Sequence, residues 1–133
     1  MKSAAMAPNM QRLIRVLIVD DEPLFTDMLQ ALLQVEDGIE VVGKAQHGRQ
    51  AVELANDLDP DVIVMDVSMP VMDGIDATRE IRQQNPTATI LILTGGSIIT
   101  EIDQARAAGA AGYLTKDRIG GELVDEIRSL GAK

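Results

Sequence analysis

The chain is expected to fold as one α/β domain, a parallel sheet of short strands with helices packed on both faces. Three observations point there. Strand-like and helix-like runs alternate five times from end to end. The strongest strand-like runs, Arg15–Val19, Val62–Met65 and Thr89–Thr94, are continuous and rich in Val, Ile and Leu, so they read as strands buried on both faces. Each run is separated from the next by a helix-like stretch, and parallel pairing requires a crossover of that kind.

Taken in order, the first strand is Arg15–Val19. Glu22-Pro23 then opens a helix, with an acid at the cap and proline in the first turn. Phe25, Met28, Leu29 and Leu32 form its apolar face, and Asp37-Gly38 stops it. Ile39–Val42 is a short second strand. Ala51, Leu54, Ala55 and Leu58 mark the second helix, ended by Asp59-Pro60. Val62–Asp66 is the third strand, followed by a loop over Val67–Gly74 that carries turn residues. Ile75, Thr78 and Ile81 give the third helix, closed near Asn85-Pro86, and Thr89–Thr94 the fourth strand. Ile98, Ile102 and Ala105 share a face of the fourth helix, stopped at Gly109. Ala110–Thr115 is a smaller fifth strand, and Leu123, Ile127 and Leu130 line the last helix.

Bulk properties narrow the function. At 133 residues the chain fits one domain. Residues 1–14 read as a flexible N-terminal tail, with Met6 and Met10 leaving a later start open, and residues 15–131 as the folded unit. No cysteine is present, which excludes disulfides and thiolate metal sites. A net charge of −9 argues against direct nucleic-acid binding. No apolar stretch approaches the roughly 20 residues that span a bilayer. Nor does the N-terminus resemble a secretory signal, so a cytoplasmic location is expected.

The chemistry is expected at one rim. In open α/β sheets, ligands bind outside the carboxyl ends of the strands. Those ends carry Asp20, Asp21, Asp66, Thr94 and, just past the fifth strand, Lys116. Three carboxylates brought together repel unless a cation joins them, and a hard dication such as Mg2+ takes oxygen ligands of this kind. Asp20 and Asp21 would hold the metal. Asp66 has the central position and is the candidate nucleophile, since a carboxylate can attack phosphorus to give an aspartyl phosphate. Lys116 would neutralise charge from the other side, and the Thr94 hydroxyl would donate a hydrogen bond to a phosphoryl oxygen. Read singly, each residue has a plainer role: Asp20-Asp21 as a helix cap, Lys116 as a surface charge, Thr94 as a strand-end β-branched residue. Their shared register is what sets those readings aside. His47 is a lone surface histidine and is assigned no role.

These residues carry a family resemblance that runs from about Arg15 to Leu130. Val16–Pro23, Met65–Gly74, Leu93-Thr94 and Ala108–Lys116 together resemble the receiver domain of bacterial response regulators, the phospho-accepting half of two-component signalling. The resemblance implies a flavodoxin-like, doubly wound sheet of order 2-1-3-4-5, which sets Asp20-Asp21 beside Asp66. It further implies phosphorylation of Asp66 by a histidine kinase and Mg2+ bound by Asp20, Asp21, Asp66 and the backbone carbonyl of Ser68. Thr94 and Lys116 would contact the phosphoryl group, and Tyr113 matches the aromatic that turns inward when Thr94 moves. Asp117 stands after Lys116, where the family often has a proline with a cis bond. Lys116-Asp117 is closer to the NarL/FixJ branch of transcription regulators, whose members usually carry a downstream DNA-binding domain. Gly95-Gly96 after Thr94 is more flexible than is usual there.

Ile98 and Ile99 stand about 100° apart on a helix, so both cannot face the core. Ile99 is assigned to the outside, and with it a partner or homodimer face on the fourth helix, fifth strand and last helix. Beyond self-phosphorylation and self-dephosphorylation no enzyme activity is expected. One alternative is an Mg2+-dependent phosphohydrolase with an aspartyl nucleophile. It would need a second acid–base aspartate near Asp66, where position 68 is Ser, and a cap for which no insertion is long enough. Another is a stand-alone receiver acting by protein–protein contact.

Overall fold

The computed structural model describes residues 13–95 and 99–132, and the side chains of all of these but 99 and 100. The expected tail falls largely on residues 1–12, and Gly96 and Ile98 on the 96–98 segment; all of these lie outside the described residues. In chain order the elements are β1 (Ile14–Val19), α1 (Pro23–Gln34), β2 (Ile39–Ala45), α2 (Gly48–Leu58), β3 (Val62–Asp66), α3 (Gly74–Gln84), β4 (Ile90–Thr94), α4 (Ile99–Ala108), β5 (Gly112–Thr115), a 3-10 turn (Lys116–Arg118) and α5 (Ile119–Gly131). All neighbouring strands pair in parallel, in the order β2-β1-β3-β4-β5. Among the described residues no helix is long and apolar enough to cross a membrane.

Alternation along each strand divides the core into two layers. Leu17, Val19, Ile63, Met65, Ile90 and Ile92 face α2, α3 and α4, where Ala51, Ala55, Ile75, Ile81 and Ala105 meet them. Val16, Ile18, Val62, Val64, Leu91 and Leu93 face α1 and α5, through Leu29, Leu33, Leu123 and Ile127. β3 and β4 are buried at every position, as their unbroken apolar sequences require.

Three boundaries or faces differ from the sequence reading. β2 runs on through Gly43-Lys44-Ala45 because β1 continues to pair with it, across an irregularity in register between Val16 and Leu17. β5 begins two residues later than expected. The Ala110 N–H donates to Ala105 O, so Ala110 closes α4 rather than joining the sheet. In α1 the buried stripe is Thr26, Leu29 and Leu33, with Phe25 and Leu32 partly buried and Met28 facing out. Thr26 can be buried because its hydroxyl donates to Pro23 O at 2.9 Å. Glu22 occupies the N-cap position of α1 but makes no side-chain capping bond; Pro23 at the helix start is as expected.

The first turn of α5 holds Gly120 and Gly121. A Cβ added at either meets nothing within 4 Å, and neither has a positive φ. Gly→Ala at such helical sites gains helix propensity and reduces unfolded-state entropy. Each substitution is expected to raise stability by roughly 0.5–1 kcal/mol in urea titrations. A loss of stability would mean that these glycines serve a purpose that side-chain space does not reveal.

Candidate functional site

The site is assembled at the carboxyl ends of β1, β3, β4 and β5. Asp20 follows directly on β1 and is still tied to the sheet, its N–H donating to Ala45 O at 3.0 Å. Its Oδ1 accepts from the Glu22 N–H at 2.9 Å, which turns the chain into α1. The Asp20 residue is 1% exposed, while Asp21 beside it is open to solvent. Asp66 ends β3, in register with Leu93, and is 3% exposed. One carboxylate oxygen from each of Asp20, Asp21 and Asp66 falls within 4.8 Å of the others.

The loop after Asp66 is pinned from both sides. Val67 N–H donates to Leu93 O at 3.1 Å, and Gly74 N–H returns to Val67 O at 2.9 Å. Asp73 then caps α3, its Oδ1 accepting from Asp76 N–H at 2.8 Å. Asp66 therefore sits where a fully paired strand gives way to a tightly closed loop, and its carboxylate has little freedom to move.

Lys116 reaches into the acids from the 3-10 turn after β5. Its Nζ lies 3.1 Å from Asp66 Oδ1 and 3.4 Å from Asp20 Oδ2. On its other side, Nζ stands 4.4 Å from the centre of the Phe25 ring in α1. Thr94 is buried at the end of β4, in register with Thr115, the residue before Lys116.

The electrostatics follow from this crowding. Burial, then the neighbouring Asp20 charge, raises the Asp66 carboxyl from 3.8 to about 6, against the pull of Lys116 and of the Ser68 N–H. Burial likewise raises Asp20, against the Glu22 N–H and Lys116. Burial opposes the charged form of Lys116, but Asp66 and then Asp20 together carry it above its ordinary value. One ammonium is thus shared between two buried carboxylates, with a third acid close by. The negative charge is undercompensated, and every donor in the cluster is oxygen. That set fits a hard dication, with Asp20, Asp21 and Asp66 as its protein ligands.

The structure thus brings together Asp20, Asp21, Asp66 and Lys116, residues up to 96 positions apart in sequence, and puts Thr94 on the same sheet edge. Tyr113 stands apart. It is 38% exposed, with the Arg106 guanidinium 5.5 Å from its ring centre. Ile99 is the first residue of α4, and its side chain lies outside the described residues.

Two residues have roles that the sequence reading did not assign. His47 caps α2, its Nδ1 accepting from the Gln50 N–H at 3.2 Å, while Gln50 Oε1 accepts from the Gln46 N–H at 2.8 Å. The signal was local: a polar pair three residues apart at a helix start. Phe25 was placed on the apolar face of its helix, which it joins only in part. Side chains in a helix lean toward its N-terminus, so a residue in the first turn of α1 can overhang the rim.

Comparison with known proteins agrees with this geometry. The family profile described as response regulator receiver domain matches residues 16–128. The nitrate/nitrite response regulator protein NarP of Escherichia coli (strain K12) is 42% identical over 119 residues, covering 90% of this chain and 55% of NarP. A protein-glutamate methylesterase/protein-glutamine glutaminase of Alkalilimnicola ehrlichii is 46% identical over 105 residues, covering 77% of this chain and 27% of that protein. A two-component response regulator of the LuxR family from Aurantimonas sp. SI85-9A1 superposes with a TM-score of 0.87 at 37% identity, covering 90% of this chain and 86% of that one. The chain spans about half the length of NarP, and a smaller share of the methylesterase.

Proposed function

This chain belongs to the response regulator receiver domain family, and from that premise we propose that Asp66 accepts a phosphoryl group from a histidine kinase. A two-component response regulator implies such a kinase as its partner. The observation that carries the reading is the Lys116 ammonium 3.1 Å from the buried Asp66 carboxylate, with two further acids beside it.

In this reading an Asp66 carboxylate oxygen attacks the phosphorus of the donor. The P–N bond to the donor imidazole breaks and its electron pair stays on the ring nitrogen. A carboxyl that titrates near 6 is mostly ionised at neutral pH and is therefore available as the nucleophile. Its position at the end of a closed strand and loop fixes the attacking oxygen, and phosphoryl transfer is accelerated mainly by positioning and charge neutralisation. Lys116 neutralises charge on the incoming oxygens. Thr94, at the same edge, donates its hydroxyl to one of them. Bound Mg2+, held by Asp20, Asp21, Asp66 and the Ser68 backbone carbonyl, supplies further neutralisation of the carboxylate and phosphoryl charge.

The switch proceeds from Thr94 outward. In the structure Tyr113 lies at the surface against Arg106. In the phosphorylated state Thr94 is drawn to the phosphoryl group and Tyr113 turns inward. The face formed by α4, β5 and α5 is thereby reshaped for a partner or for a second copy of the chain. Phosphorylation moves this balance only by as much as its interaction differs between the two states. The likeness to the transcriptional regulatory proteins LnrK and LiaR of Bacillus subtilis (strain 168), 33% and 39% identical, favours transcription control through a DNA-binding domain as the output, while the methylesterase relative is a reminder that receivers serve other outputs.

The test is incubation with acetyl phosphate and Mg2+ followed by intact mass. The wild-type chain is expected to gain one phosphoryl group and Asp66→Asn none. An equal adduct on Asp66→Asn would remove Asp66 from its role. Steady turnover of a generic phosphate ester, lost in Asp66→Asn, would favour a phosphohydrolase instead.

A further inference from the structure

At the site Lys116 meets an uncharged group as well as the acids. Besides the two carboxylates, its Nζ lies over the face of Phe25, 4.4 Å from the ring centre. We propose that Phe25 is a positioning residue for phosphoryl transfer, holding the Lys116 ammonium against Asp66 through a cation–π contact. The proposal rests on the reading of Asp66 as phosphoacceptor given above.

The carboxylates alone are unsteady anchors. Lys116 carries a flexible four-carbon stem, and its side chain is 32% exposed, so water competes for the ammonium. Asp20 is also a candidate metal ligand, and a dication there would claim the charge that Lys116 now shares. Asp66 itself changes character when it forms an acyl phosphate. The ring face has no proton to lose and no lone pair for a hard cation, and its negative quadrupole attracts the ammonium in every one of these states.

Phe25 is well placed to act as such a fixture. Its N–H donates to Glu22 O at 3.0 Å, and the Glu22 N–H donates in turn to Asp20 Oδ1 at 2.9 Å. The ring is therefore anchored to the same turn that orients Asp20. Behind it lies the layer that contains Leu29 and Leu33, against which Phe25 packs. Aliphatic packing alone would account for an apolar residue here but would be indifferent to the electronics of the ring.

That difference is the test, and the composition makes it clean. Phe25 is the only phenylalanine in the chain, so biosynthetic incorporation of fluorinated phenylalanine labels this one site. Fluorine withdraws electron density from the ring face while keeping its shape. Across the series from phenylalanine through 4-fluoro, 3,5-difluoro and 3,4,5-trifluoro rings, the rate of Asp66 phosphorylation by acetyl phosphate with Mg2+ is expected to fall stepwise. The total fall should be about three- to tenfold, the size of a single cation–π contact. Phe25→Tyr should keep the rate within about twofold, and Phe25→Leu should match the trifluoro ring. A rate that is flat or rising along the series overturns the positioning role while leaving Asp66 as acceptor. Wild-type protein that gains no adduct overturns the acceptor reading instead. A urea double-mutant cycle with Lys116→Met then decides the contact without any phosphorylation. Phe25→Leu should lower the midpoint less in the Lys116→Met background, and equal losses in both backgrounds would overturn the proposal.

Discussion

Asp66→Asn is expected to stabilise the metal-free protein by about 2–3 kcal/mol at pH 8, with the gain shrinking to about 1.5 kcal/mol by pH 5. The cause is the environment that raises the Asp66 carboxyl from 3.8 to about 6, first burial and then the Asp20 charge. The folded state prefers this group neutral. Relative to the unfolded chain, its contribution is most favourable below about pH 4 and is lost as pH rises through about 6. The gap between those two values corresponds to about 3 kcal/mol once the carboxyl is fully ionised. Asp20 is shifted the same way, so the two acids titrate as a pair and the wild-type loss is spread over a broad pH range. Asparagine keeps the shape and an acceptor oxygen for the Ser68 N–H and removes the charge. Urea unfolding of both proteins between pH 5 and 8, in the presence of a chelator, measures the difference. The reading of a strained carboxylate cluster does not survive if Asp66→Asn is no more stable than wild type at pH 8. Mg2+ should reverse part of the gap, because tenfold saturation of a site adds about 1.4 kcal/mol to the protein that binds it.

That strain was legible in the sequence only as a pattern of strand ends. The continuous apolar runs made β1, β3 and β4 the most legible elements, since runs as short and as rich in Val, Ile and Leu as Val62–Met65 or Ile90–Leu93 suit a doubly buried strand better than a helix. Acids directly after two of those runs had to reach the same sheet edge once the strands were parallel. The edge strands were less legible. Gly43-Lys44-Ala45 looks like the end of a strand by composition, yet pairing with β1 holds it in the sheet. A Cβ at Gly43 would fall 2.8 Å and 3.3 Å from methyl carbons of Leu58 and Leu17, so those side-chain ends would have to shift to admit it. The face of α1 was misjudged for a related reason. A buried threonine is invisible to apolar periodicity, because what permits its burial is a hydrogen bond to Pro23 O that exists only in the folded turn.

The charged members of the site were readable because charge at a strand end is unusual. Its neutral members were not. Phe25 looks like any apolar helix residue until the fold brings Lys116, from the turn after β5, over its ring. Gly74 looked like a turn residue, and the structure shows it as the first residue of α3, behind the Asp73 cap.

Gly74→Ala is expected to destabilise the protein by about 2–4 kcal/mol and to slow Asp66 phosphorylation at least tenfold. A Cβ at Gly74 would lie 2.1 Å from the backbone oxygen of Asp66 and 2.9 Å from its carbonyl carbon. These are main-chain atoms of a paired strand and cannot rotate away as a side-chain end could. Alanine would gain up to about 1 kcal/mol of helix propensity, but a backbone overlap of this depth outweighs it. Relief requires α3 and the end of β3 to separate, and the Gly74 N–H bond to Val67 O at 2.9 Å stands across that gap. Any such movement carries the Asp66 carboxylate with it, away from Lys116, so stability and phosphorylation should fall together. Gly120→Ala is the matched comparison, since there an added Cβ meets nothing within 4 Å and the expected sign is opposite. Urea midpoints and acetyl phosphate labelling of the two variants side by side separate close approach from generic glycine effects. A Gly74→Ala protein within about 1 kcal/mol of wild type would show that the β3–α3 junction yields, and that Asp66 owes its position to something other than the closed loop behind it.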